Sequence, residues 1–350
     1  MIYYATFVPG LQDVIAAVVR RRLEDVTLHK LLDGAVIFET ACSYDRLNFF
    51  CFNNIFAVVS IIEKADGPLF PSGVLEEHMR AVIRAGKNPV ISENNKKILS
   101  FRIVFSIENR LAAVNEKIKR ETEAFISRAS GLSLCRSRPD TEFWFLYRRE
   151  GFSVFMKRLT RHASWEKQLH PGELPPPLAW TLCSLAGLGE KKSASLSVLD
   201  PFCGYGSIPF QALSRFPVQK IYASDNSPEA VQETRKKTGS VSPGRFCEIF
   251  KSDFRDLPPK PGMQNIDRIV TDPPWGLYRE TDRNDAQFYR EMLNCFEKLL
   301  AATGRAVILS AATETLENAS AESGLSVTDK IPILLSGKKT AIFLLRTRGS

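Results

Sequence analysis

The chain has 350 residues, 44% of them hydrophobic and 25% charged, enough to bury a full core without disulfide or metal support. Seven cysteines are widely spaced with no CxxC pair, and four histidines form no HxxxH or His/Cys cluster, so reduced thiols and no bound metal are expected. The net charge is +8, and with no segment apolar enough to span a membrane as a helix and an N-terminus that lacks a basic leader, a cytoplasmic protein is expected.

Residues 1–60 predict a strand (IYYATFV), a helix (LQDVIAAVVRRRL), a strand (GAVIFET) and a second helical stretch (YDRLNFFCFNNIF), the order of a small α+β module. A second unit opens at PLFPSG. It holds a helix (VLEEHMRAVIRAG), an alternating strand (ILSFRIVFS), a helix over 111–130 ending before Gly131, and two strands (EFWFLYRRE, GFSVFMKRL) about a turn at Glu150 and Gly151. HPGELPPPLAWTLCSLAGLG then reads as a proline-rich lead into a helix. From Leu196 onward, apolar runs (SVLDPF, KIYASD, CEIFKSD, DRIVTDPP, AVILSA, AIFLLRT) alternate with helical stretches such as IPFQALSRF, PEAVQETRKK and AQFYREMLNCFEKLLA. That rhythm predicts a mostly parallel, doubly wound sheet with helices on both faces.

The charge is concentrated. Between residues 96 and 161 there are 15 Lys and Arg against 7 Asp and Glu, an excess equal to that of the whole chain. Such a region suits a polyanion, most simply nucleic acid, although a solvated basic surface reads the same way.

The informative residues of a doubly wound sheet lie just after its strands. SVLD is followed by PFCGYGSI, an acid and two glycines (Gly204, Gly206) leading into a helix whose first amides are free to meet a carboxylate or phosphate. The loop lacks the GK[ST] ending of a P-loop and the third glycine of a dinucleotide fingerprint. Asp225 ends the next strand, where an acid can accept both hydroxyls of a ribose; Asp253 follows the third and could reach an adenine amine. A single strand-end acid commonly only caps a helix, but three occur in register. After the fourth strand comes TDPPWG. Asp272 and the Pro273 carbonyl are acceptors held rigid by Pro273 and Pro274, suited to an exocyclic amine with two hydrogens, and Trp275 offers a stacking face for an extruded base.

VLDPFCGYGSIPFQAL, ASDNSPEAV, FKSDFRDLP and IVTDPPWGLYRE resemble the successive motifs of Rossmann-fold, S-adenosylmethionine-dependent methyltransferases acting on exocyclic nitrogens. More narrowly, they resemble the THUMP-containing RNA methyltransferases that form N2-methylguanosine in tRNA. The motifs cover about residues 165–345; the N-terminal half resembles that family by architecture and by Pro139-Asp140 before paired strands. The resemblance implies an α/β, Rossmann-like class I methyltransferase domain over 191–350, a linker helix region over 163–190, a ferredoxin-like domain over 1–62 and a THUMP-like RNA-binding domain over 63–162. It implies S-adenosylmethionine as cofactor, contacted by Pro171, Leu174, Asp200, Phe202, Cys203, Gly204, Gly206, Ser207, Asp225, Asn226, Asp253 and Phe254. Asp272, Pro273, Pro274 and Trp275 would hold the target base. Arg148, Arg149, Lys157, Arg158 and Arg161 are the candidate RNA contacts, with tRNA as the partner and its 3′ end as the handle, for a chain expected to be monomeric. Tyr205 stands where that family often has a small residue, and HPGE replaces its commoner HPAP or HPAS.

Two other readings fit the residues. DPPW also resembles adenine-N6 methyltransferases, and an inactive methyltransferase fold could serve as an RNA-binding module. Cys203 invites a nucleophile assignment, but its place in a cofactor loop reads as small-residue packing.

Overall fold

The computed structural model describes residues 1–47, 49–63, 72–86, 90–91, 98–108, 110–160, 169–190, 195–218, 220–239, 241, 245–257, 263–274 and 285–348. They form two compact units, Met1–Phe7 with Gln12–His162 and Val8–Leu11 with Ala163–Ser350. Among the described residues no helix is long and apolar enough to cross a membrane.

The first unit contains β1 (Ile2–Thr6), α1 (Gln12–Arg22), β2 (Thr27–Leu32), β3 (Ala35–Glu39), α2 (Tyr44–Leu47), β4 (Asn54–Glu63) and α3 (Ser72–Ala85). It continues with β5 (Ser100–Ile107), β6 (Arg110–Leu111), α4 (Glu116–Ser130), β7 (Ser133–Leu134), β8 (Thr141–Arg148) and β9 (Phe152–Arg158). All nine strands share one sheet, in the order β2-β3-β1-β4-β9-β8-β5-β6 with β7 beside β5. The first four, antiparallel in the order β2-β3-β1-β4, have the arrangement of a ferredoxin-like module. β4 then pairs with β9, so the sheet runs unbroken across the boundary drawn in the sequence between residues 62 and 63.

Two elements differ from the sequence expectation. The helical stretch read over 44–56 is helical only at Tyr44–Leu47, and its NIF end opens the ten-residue strand β4. Ile55, Val58, Val59, Ile61 and Ile62 are β-branched, and two pairing partners settle what a short apolar run leaves ambiguous. The helix expected from residue 111 starts at Glu116, because the Asn115 side chain caps it by accepting from Lys117 N at 2.9 Å. Its end agrees: Gly131 takes the left-handed conformation (φ 75°). In this core His78 is buried, hydrogen-bonded to Ser60 Oγ at 2.8 Å and Ser153 Oγ at 3.0 Å. Burial pushes its pKa down to about 3, so it is a neutral core residue.

The second unit carries α5 (Pro176–Leu185), β10 (Ser197–Asp200), α6 (Ser207–Arg215), β11 (Lys220–Asp225), α7 (Pro228–Gly239) and β12 (Phe246–Lys251). After these come β13 (Ile266–Thr271), α8 (Asp285–Leu299), β14 (Leu300–Ser310), α9 (Thr313–Ala321), β15 (Leu325–Leu335) and β16 (Lys338–Thr347). The sheet order is β12-β11-β10-β13-β14-β16-β15, with β16 alone running antiparallel to its neighbours β14 and β15. This is the predicted doubly wound α/β sheet.

β15 is not legible as a strand in the sequence, because Asp329, Lys330 and Pro332 interrupt its apolar pattern. It lies at the sheet edge, where a proline and charges are tolerated, and it is joined to β16 through Ser336 (φ 50°) and Gly337 (φ 79°). α8 buries Phe288, Tyr289, Met292, Leu293, Phe296 and Leu299, a 3-4 spacing that presents one apolar stripe to the sheet. At roughly 1.5–3 kcal/mol for each fully buried side chain, that stripe anchors the helix beside the strands that carry the site.

Candidate functional site

β10 is the strand at which the order reverses, with β11 on one side and β13 on the other, both parallel to it. The carboxyl ends of these strands, with the turn after β10 and Asp272–Pro274 after β13, therefore lie along one edge of the sheet. That is where ligands bind in open α/β sheets.

Asp200, the last residue of β10, is buried. Its Oδ1 accepts hydrogen bonds from Thr271 Oγ1 at 2.8 Å and Phe202 N at 3.2 Å. Its Oδ2 is buried with no hydrogen-bond partner among the described residues. Burial pushes this carboxyl up to about 8, and the like charges of Asp225 and Asp272 add to the effect. Asp200 thus feels the acids at the ends of both neighbouring strands.

The turn after β10 is held from several sides. Cys203 N donates to Ser224 O at 2.9 Å, and Gly206 N donates to Cys203 O at 2.8 Å. Asp225 accepts from Gly204 N and from Ser227 N, each at 2.9 Å, so its carboxylate bridges the β10 turn and the entry to α7. Thr234, about two turns along α7, donates from Oγ1 to Gly204 O at 2.7 Å. A Cβ on Gly204 would meet no atom within 4 Å, so the turn presents an open backbone face.

Gly206 is different. Both glycines are left-handed (φ 48° at Gly204, 81° at Gly206), but a Cβ on Gly206 would also lie 2.8 Å from Thr234 Oγ1 and 2.9 Å from Thr234 Cγ2. Gly206→Ala is expected to destabilise the chain by about 2 kcal/mol through left-handed strain and the displaced threonine, about 4–8 °C in melting temperature. Gly204→Ala carries left-handed strain too (φ 48°) but displaces no neighbour, so it should cost less. Thermal denaturation of the two variants side by side checks this order.

Asp253 caps the short 3-10 turn Phe254–Asp256: it accepts from Arg255 N at 3.0 Å and pairs with the Arg255 guanidinium, which also bonds Glu291. Phe254 is buried and packs on Phe202 and Phe288 with ring centroids 5.2 and 5.4 Å away. It belongs to the hydrophobic core of the second unit. Phe202 is half-buried, Asn226 and Pro171 are exposed, and Leu174 and Ser207 are buried, with Ser207 Oγ donating to Leu174 O at 2.9 Å. Cys203 is buried and its thiol is pushed up by burial and by Asp200, so it is not a poised nucleophile.

After β13, Asp272 is half-buried, Pro273 buried and Pro274 exposed. Asp272 also lies within electrostatic reach of Tyr289, whose hydroxyl bonds Ser310 Oγ at 2.6 Å. Trp275 lies outside the described residues. Sequence reasoning missed Thr271 and Thr234; the signals were a threonine directly before DPP and a helix-α7 residue facing the glycine turn.

The candidate RNA contacts require a correction. The Arg148 guanidinium is buried and bonded to Glu150, with Glu108 at 3.7 Å. Arg158 bonds Glu142 and Asn54, and Lys157 is buried as well. Arg148 and Arg158, on β8 and β9, thus spend their charge on acidic neighbours in the sheet. Arg149 is exposed, and Arg161 lies outside the described residues. Among the described residues the exposed cations of the basic region also include Arg110, Lys117, Arg120, Arg128, Arg136 and Arg138, of which Arg120 pairs with Glu116 and Arg136 with Glu123.

Residues 163–339 match the UPF0020 family, described as an RMKL-like methyltransferase domain. The chain is similar to a tRNA (guanine(10)-N2)-dimethyltransferase of Methanothermobacter thermautotrophicus, 29% identical over 53% of this chain and 55% of that protein. It is also similar to a tRNA (guanine(6)-N2)-methyltransferase of Thermus thermophilus, 27% identical over 63% of this chain and 64% of that protein. The chain thus spans between about half and two thirds of the length of these curated relatives. In fold it is similar to the crystal structure of TrmN from Thermus thermophilus, with a TM-score of 0.77, 22% identity and 99% of both chains covered. With a family match over half its length and the strand-end acids and glycine turn inside that match, the chain belongs to the UPF0020 family of RMKL-like methyltransferase domains.

Proposed function

We propose that this chain is an S-adenosylmethionine-dependent RNA methyltransferase that transfers a methyl group to the exocyclic N2 of a guanine in tRNA. The observation that carries the reading is the adjacency of β10 and β13, which brings the open Gly204 turn and Asp272 to one edge of the sheet. The residues present fit the cofactor: a buried carboxyl oxygen at Asp200 with no partner among the described residues, a backbone face open at Gly204 and a carboxylate at Asp225. When bound, S-adenosylmethionine supplies an electrophilic methyl group on sulfonium.

Asp200 and the turn at residues 204–206 hold the methionine and sugar portion, Asp225 the ribose, and Asp253 the adenine amine. Asp272 and the Pro273 carbonyl accept the two hydrogens of the guanine amine, which desolvates and aims its lone pair. The proton lost after transfer passes to the Asp272 carboxylate or to solvent. In the first unit, a THUMP-like region, the exposed cations of α4 and of the loop before β8 offer contacts to the RNA backbone.

The test is incorporation of labelled methyl from S-adenosylmethionine into bulk tRNA, followed by mass spectrometry of the nucleosides. N2-methylguanosine is expected. N6-methyladenosine would transfer the reading to adenine, and no incorporation with several tRNA pools would leave an RNA-binding module.

A further inference from the structure

Two residues that set this chain apart from the family it resembles, Glu173 and Tyr205, meet in one cluster. The Glu173 side chain is only 5% exposed. Its Oε1 accepts from Ser207 Oγ at 3.2 Å and from Lys237 Nζ, and its Oε2 accepts from His170 N at 3.1 Å. Lys237 also reaches the carbonyl of Tyr205 at 3.5 Å. The His170 ring stacks on the Tyr205 ring, with centroids 4.0 Å apart and planes within 10°. The segment before α5 is thereby clipped onto the residues that flank Gly206.

Helix α7 completes the grip. Thr234 and Lys237 are three residues apart on one helix face, and they take the carbonyls of Gly204 and Tyr205 respectively. With both carbonyls engaged by α7, the backbone of the turn keeps its other side open at Gly204. A buried carboxylate that loses a charged partner leaves the other groups unsatisfied, so the cluster holds as a unit.

We propose that Glu173 is a positioning residue of this site: through Lys237, Ser207 and the His170–Tyr205 stack it fixes the glycine turn in its cofactor-accepting shape. It thereby sets affinity for an adenosylmethionine-class ligand and not the rate of transfer once that ligand is bound. This rests on the methyltransferase reading above.

The experiment uses the full chain with S-adenosylmethionine and S-adenosylhomocysteine as calorimetric probes, and methyl transfer to tRNA as the kinetic readout. Glu173→Gln and Lys237→Met are expected to weaken both ligands and to raise KM for the cofactor about tenfold, with kcat at saturating cofactor within about twofold. The exchanged pair, Glu173→Lys with Lys237→Glu, should recover part of the lost affinity. Hydrogen exchange at the amides of residues 204–207 should accelerate in Glu173→Gln while exchange in the strands of the same unit stays unchanged; a general loss of folding would accelerate both and overturn the assignment. Unchanged ligand affinity in both single variants, or a fall in kcat with KM unchanged, also overturns it. A wild-type chain that binds neither probe overturns the methyltransferase reading beneath it, whereas wild-type binding matched by the variants overturns only the role of Glu173.

Discussion

Asp272→Ala is expected to lower methyl transfer about a hundred- to a thousandfold while leaving affinity for S-adenosylmethionine within about twofold. Asp272 stands at the end of β13, followed by a buried and then an exposed proline whose fixed φ angles hold its backbone. In the proposed mechanism its carboxylate meets the target amine and not the cofactor, so its removal strips orientation and desolvation from the nucleophile alone. Asp272→Asn should be nearly as severe, because the new amide turns a donor toward a group that itself donates. Single-turnover transfer of labelled methyl, measured beside calorimetric binding of cofactor, separates the two effects. Equal loss of binding and transfer would place Asp272 in the cofactor site and remove its proposed role.

Much of this site is legible before any coordinates because it lies in short loops after apolar strands. Asp200, Asp225 and Asp253 each follow an apolar run, and the doubly wound order brings the loops after parallel strands to the same edge. The contacts that hold the loops are harder to read. Thr234 and Lys237 are ordinary helix residues by composition, and only the placement of α7 against the turn makes them grips. The cations of β8 and β9 failed for a related reason. Arg148 and Arg158 look like surface charge in a basic stretch, yet Glu108 reaches Arg148 and Glu142 reaches Arg158 only when the strands pair, and Glu150 joins Arg148 from the adjoining turn. Likewise β4 reads as the tail of a helix until β1 and β9 pair with it. Local chemistry survives in the sequence, whereas pairing between distant segments does not.

Asp200→Asn is expected to change how stability depends on pH. The Asp200 carboxyl is pushed up to about 8 by burial and by its acidic neighbours, whereas in an unfolded chain it titrates near its usual value, about 4. Between those values the folded chain holds a proton that the unfolded chain has released. Its contribution is therefore fully present below pH ~4 and is lost as pH rises toward 8, at about 1.4 kcal/mol for each pH unit. Asparagine stays neutral throughout and keeps one oxygen to accept from Thr271 and Phe202, so the variant lacks this slope. His78 titrates with the opposite sign, because its pKa is pushed down to about 3 and its contribution is lost as pH falls through that range. The quantity to read is consequently the difference between wild type and variant in denaturant unfolding at pH 5 and pH 8, where His78 cancels. The variant should gain on wild type by ~3–4 kcal/mol between the two pH values. A difference that does not change with pH would mean that Asp200 is already ionised at pH 5, which requires a positive charge beside its buried Oδ2 in the ligand-free chain.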